Sequence, residues 1–152
     1  MSPSRERFHR ELEKELVKLQ SAAMALQHSY HKCAERQIPT EASYDDYEPF
    51  ETLASRFERL CDILTQKVFG LIDALEGEER GTFIDKLNRA EKRGIVDSAQ
   101  ALRDVRDLRN EIAHEYSARD ISELFQQALA LAPSLLNAVK HTIEYSQKLT
   151  AR

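Results

Sequence analysis

The chain has 152 residues, 41% of them apolar and 32% charged, with a formal net charge of −4 at neutral pH. That length suits one domain spanning 1–152 with a sizeable core, and the negative balance argues against a general nucleic-acid coat or a DNA binder. No window approaches the ~20 apolar residues of a membrane span. The two cysteines are too few for a disulfide framework.

The first residues lead into a charged helix with no apolar secretory segment, so a cytoplasmic location is expected. That first helix is predicted from about Ser4 to Arg36. Its seam is Leu12, Leu16, Leu19, Ala23, Leu26, Tyr30 and Cys33, at alternating steps of four and three. Ile38-Pro39 ends it, and the acidic stretch from Thr40 to Tyr47 reads as a loop. A second helix is expected from about Pro49 to Glu76, with the stripe Phe50, Leu53, Phe57, Leu60, Leu64, Val68, Leu71 and Leu75, and Gly77 as its C-cap signal. A short third helix runs from Phe83 to Arg93, capped by Thr82 with Asp85 as partner and stopped by Gly94.

The fourth helix starts after Asp97, with Gln100 as capping-box partner, and ends near Tyr116. A fifth runs from about Asp120 to Leu149 on the stripe Ile121, Phe125, Ala128, Ala132, Leu135, Val139 and Ile143, with a kink or break expected at Pro133. Nothing reads as a strand. The expected fold is all-α, an antiparallel up-and-down four-helix bundle with one short extra helix. Cys33 and Cys61 fall on apolar stripes and read as reduced core residues.

The stretch Arg109-Asn110-Glu111-Ile112-Ala113-His114-Glu115-Tyr116 carries the most chemistry. Arginine grips phosphate through a planar fork, and histidine moves protons near neutral pH. The fourth helix's seam reads Leu102, Val105, Arg109, Ile112, Tyr116, so Arg109 and Tyr116 stand where packing alone would place leucine. A buried charge is costly unless paired, which puts Arg109 at a cleft or a partner surface. Arg109 and His114 point about 140° apart around the helix, so they converge only through the long arginine side chain or through a second copy across a twofold axis. The span 80–109 holds eight Lys/Arg against five acids, a local excess of +3 that can steer a phosphate. A solvated face of mixed ion pairs accounts for most of these residues equally well. Glu58 and Asp62 share one face of the second helix and could support a site, though surface placement is the simpler reading for both.

With Arg109-x4-His114-x-Tyr116 late in a helical bundle and Asn110 directly after the arginine, the chain resembles the HEPN superfamily, and in the extended motif the HepT-type toxins. Arg56-Phe57-Glu58, Arg89-Ala90-Glu91 to Gly94-Ile95, and the motif itself also resemble nucleotidyltransferase substrate-binding-like proteins. The resemblance covers roughly Phe50 to Tyr116. It implies a metal-independent endoribonuclease with no cofactor, acting on tRNA or mRNA as the toxin of a toxin–antitoxin pair. Arg109 and His114 would be catalytic, with Asn110 supporting. It further implies a homodimer with a composite site, and neutralisation by a minimal nucleotidyltransferase antitoxin of MntA type that transfers AMP to Tyr116. The alternative it leaves open is a non-catalytic partner or substrate-binding subunit of a nucleotidyltransferase. A purely structural helical dimer is the third possibility.

Overall fold

The computed structural model describes residues 2–39, 44–78, 81–114 and 118–151. Its elements are α1 (Pro3–Ala34), α2 (Tyr44–Asp62), a π-helical segment (Ile63–Val68), α3 (Phe69–Leu75), α4 (Phe83–Lys92), α5 (Ala99–Ala113) and α6 (Ala118–Thr150). No strand occurs among the described residues, and the fold is an all-α bundle. None of the helices searched there is long and apolar enough to cross a membrane.

The first rod, α1, packs against α2–α3 and α6, while α5 packs against α2 and α6. Hydrogen bonds at the ends set the directions. Arg5 near the start of α1 donates to the carbonyl of Leu75 at the end of α3, and Cys33 donates to the carbonyl of Pro49. Ser122 in α6 donates to the carbonyl of Pro39, while Tyr145 near its other end donates to Glu76. Successive long rods therefore alternate in direction, and short α4 leans on α3 and α5.

One contiguous core fills the bundle. On α1 the heptad positions Leu12, Leu19, Leu26 and Cys33 are buried, and the intervening Leu16, Ala23 and Tyr30 pack at its margin. Phe50 and Phe125 stack in the core at 5.5 Å between centroids. Both cysteines are buried and free. The turns follow their residues: Thr82 and Asp85 form the reciprocal capping box. Gly77 and Gly94 take φ of +78° and +76°. At the second turn, Gly94 N–H donates to Glu91 and Ile95 N–H to Ala90, a left-handed helix stop that glycine adopts without steric cost.

Three expectations fail. The acidic loop is helical from Tyr44, because Asp45 and Asp46 suit the positive end of a helix, and the helix forms although Pro49 lies inside it and supplies no N–H. The second helix is not uniform α-helix. Its π segment widens one turn, so downstream the core face passes to Phe69, Ile72 and Asp73 while Leu71 becomes half-buried. The α5 N-cap is Ser98, which accepts from Ala101 N–H at 2.9 Å. Gln100 instead donates to Asp104, and Asp97 turns toward Asn137 of α6. At Pro133, where a kink or break is expected, no break occurs: Ala132, Leu135 and Ala138 hold both halves of α6 on the core while Pro133 itself is exposed.

Candidate functional site

The arginine of the motif lies on α5 opposite α2. Its guanidinium meets Asp62 in a two-pronged clasp, Nε donating to Oδ1 at 2.6 Å and Nη2 to Oδ2 at 2.9 Å. Glu58, one turn earlier on α2, lies 3.5 Å from Nη2. The side chains of Arg109, Asp62 and Glu58 retain 22%, 31% and 31% exposure, so the cluster sits at the wet edge of the α2–α5 contact. The hydrogen bond to Asp62 is the main cause holding the Arg109 pKa above its ordinary value. A planar guanidinium clasped on one edge has little rotational freedom left, so the fork is pre-oriented.

The α5 seam explains this placement. Leu102, Val105 and Leu108 are buried, while Arg109 and Ile112 are half-buried. The expected seam ran through Arg109. The observed face is broader because α5 packs on two neighbours, α2 and α6, and Leu108 takes the inner place. Below the clasp lies Cys61, whose thiol is pushed up to about 12, chiefly by burial and then by the Asp62 charge. Asp62 is also the last residue before the π segment, where the Thr65 hydroxyl donates to the Cys61 carbonyl at 2.8 Å. The widened turn therefore begins directly beneath the carboxylate that holds Arg109.

The histidine is placed differently. Helix α5 ends at Ala113, and His114 is its C-cap in an extended conformation, with its N–H donating to the Glu111 carbonyl at 3.2 Å. The expectation that the helix continues to Tyr116, with His114 in its last turn, is thus corrected. Ala113 and His114 are both exposed. His114 shares no hydrogen bond with Arg109, which faces α2. Asn110 is half-buried, and its Oδ1 accepts from Arg106 Nε at 3.4 Å. Tyr116 lies outside the described residues.

Asp62 and Glu58 are the partners that sequence reasoning set aside as surface acids. Their i,i+4 spacing on one face was the available signal, but only packing α2 against α5 shows which cation they meet. The basic span is also less available than its count suggested. Arg89 and Arg93 both bind buried Asp73, the first through two bonds of 3.1 and 2.9 Å and the second at 2.6 Å. Arg106 lies 4.0 Å over the Phe83 ring. Four of the eight cations are therefore engaged inside the fold, which leaves a phosphate less free charge than the +3 balance implies.

Comparison with known proteins gives no match: no protein-family model, no curated protein and no solved structure matches this chain.

Proposed function

We propose that this chain is a HEPN-type, metal-independent endoribonuclease, the toxin of a toxin–antitoxin pair whose nucleotidyltransferase antitoxin modifies Tyr116. The observation that carries this reading is Arg109. It is half-buried and clasped by acids at the rim of the bundle, five residues before an exposed histidine at the helix end. An arginine fixed in this way is pre-organised for phosphate, and the exposed His114 imidazole at the end of the same helix is accessible to RNA.

In this reading His114, from the same or a second copy, takes the proton of a ribose 2′-hydroxyl. The 2′-oxygen attacks phosphorus, and the bond to the 5′-oxygen breaks. The leaving oxygen is protonated from an imidazolium, and the products are a 2′,3′-cyclic phosphate and a 5′-hydroxyl. Arg109 stabilises the charge on the phosphate oxygens, which displace the longer Glu58 contact while Asp62 keeps the fork aligned. Asn110 holds Arg106 against the same face. AMP on Tyr116 would add bulk and negative charge two residues beyond His114 and repel the substrate.

The second reading, a non-catalytic nucleotidyltransferase partner, draws support from the same clasp. Two carboxylates at Arg109 compete with RNA for the guanidinium. One experiment separates the readings. Purified protein is incubated with tRNA and mRNA in EDTA, beside His114→Ala and Arg109→Ala. Cleavage leaving cyclic phosphate ends, lost in both variants, supports the nuclease. An inert wild type that binds the nucleotidyltransferase tightly supports the partner. Intact-mass analysis after co-expression tests the modification: a 1:1 AMP adduct mapped to Tyr116 is expected, and an adduct elsewhere rejects it.

A further inference from the structure

A polar cleft of about 470 Å³ opens between the C-terminal part of α1 and the N-terminal part of α2. Volumes of this order accommodate a small ligand. Arg56 forms part of its wall and is half-buried. Its Nη1 donates to the Ala25 carbonyl at 3.0 Å and to the Ser29 hydroxyl at 2.9 Å. Ser29 is itself 4% exposed, so the anchor is rigid. Both partners are uncharged, and Nε and Nη2 of Arg56 have no hydrogen-bond acceptor among the described residues. A fixed guanidinium with one edge open and no carboxylate on it is a receptor for an oxyanion.

The remaining lining is divided by charge. Lys32 and Arg36 stand on the α1 side with His28, and Asp45 and Glu48 on the α2 side. None of the four charged residues forms an ion pair within 4.0 Å among the described residues, although both signs share the cleft. The Cys33–Pro49 hydrogen bond, 3.3 Å, ties the two walls together beside it. A bare polyanion would be repelled by the carboxylates. A ligand with a phosphate at one end and hydroxyl donors at the other satisfies both walls.

We infer that this cleft binds a ribonucleotide, its phosphate on the open edge of Arg56 with Lys32 and Arg36, and its ribose hydroxyls donating to Asp45 and Glu48. The same chemistry is offered by a free nucleotide and by one residue of an RNA strand. The site lies on the α1 side of α2, away from the Asp62–Arg109 clasp on the α5 side, and does not depend on the chain cleaving RNA.

The test is an amide NMR titration of the whole protein with AMP and, separately, with a short oligoribonucleotide. Saturable shifts in 28–36 and 45–56 are expected, confined to these segments with AMP and joined by shifts around Arg109 and His114 where the oligonucleotide also occupies the proposed nuclease site. Shifts with AMP identify a free nucleotide, and shifts with the oligonucleotide alone identify an RNA strand. Arg56→Lys keeps charge but loses the fork, and Lys32→Ala/Arg36→Ala changes only the exposed rim. Each should weaken binding roughly tenfold or more, the loss expected for a charge-assisted hydrogen bond. His114→Ala, which removes the proposed nuclease, should leave these shifts unchanged. The inference is overturned by no shift in these segments with either ligand, by shifts that both cleft variants leave intact, or by shifts that vanish in His114→Ala.

Discussion

Asp62 and Arg109, 47 positions apart in the chain, clasp each other through two hydrogen bonds of 2.6 and 2.9 Å across the α2–α5 contact. The carboxylate arrives from the last residue before a π turn, and the guanidinium from a helix edge that sequence alone would give to the core. Because both side chains keep contact with water, their coupling is modest. A double-mutant cycle on Asp62→Ala and Arg109→Ala, followed by urea denaturation, should return about 0.5–1 kcal/mol. If the proposed nuclease reading holds, Asp62→Asn should lower cleavage far more than it lowers stability, because the fork loses its alignment. Equal losses in both would reduce the clasp to a structural contact.

Asp73 presents a different case. It is 2% exposed and holds Arg89 and Arg93 at once, fastening α4 to α3. Removing the carboxylate leaves two poorly hydrated guanidiniums without their anion. Asp73→Ala should cost about 3 kcal/mol in denaturant unfolding, at the lower end for a broken buried pair because both arginines keep some water. A loss under about 1 kcal/mol would mean that Glu76 and Glu78 already neutralise the arginines.

The capping box gives a pH signature with a definite sign. The Asp85 carboxylate accepts from the Thr82 backbone N–H at 2.8 Å, and this bond, with the Thr82 hydroxyl contact next, holds its pKa below the ordinary 3.8. A lowered folded pKa means the stabilisation is complete above the unfolded value and fades as pH falls through the folded one. The stability difference between wild type and Asp85→Ala should therefore be flat from neutral pH down to about 5 and shrink below about 4. A difference that persists unchanged in strong acid would locate the effect in the backbone rather than in the carboxylate.

Both thiols should be inert in the native protein. Burial raises the Cys33 pKa and pushes that of Cys61 up to about 12, which lowers the thiolate fraction of both, and burial also shields both sulfurs from reagent. A chromogenic disulfide reagent should find no reactive thiol in the folded chain and two in guanidinium chloride. Rapid native reaction at either position would mean that the bundle opens locally there.

How far local pattern reaches is clear from particular residues. Heptad spacing placed Leu12, Leu19, Leu26 and Cys33 in the core, and Thr82 with Asp85 announced the start of α4, because these features depend on neighbours within one or two turns. The π turn was not legible, since Ile63 to Val68 carries no glycine or proline to mark it. Helix α5 ends at Ala113, short of the end near Tyr116 that its pattern predicts.

For the candidate site the division is similar. The sequence by itself determined which groups are present: the Arg109–His114–Tyr116 motif, the rods that carry it, and the acids on α2. Tertiary structure alone decided that Asp62 and Glu58 face Arg109, that Asp73 engages Arg89 and Arg93, and that Arg56 meets the neutral Ala25 carbonyl and Ser29 hydroxyl. The physical reason is that helical periodicity assigns a residue to a face, but its electrostatic partner is set by which helix packs against that face, in what direction and at what register.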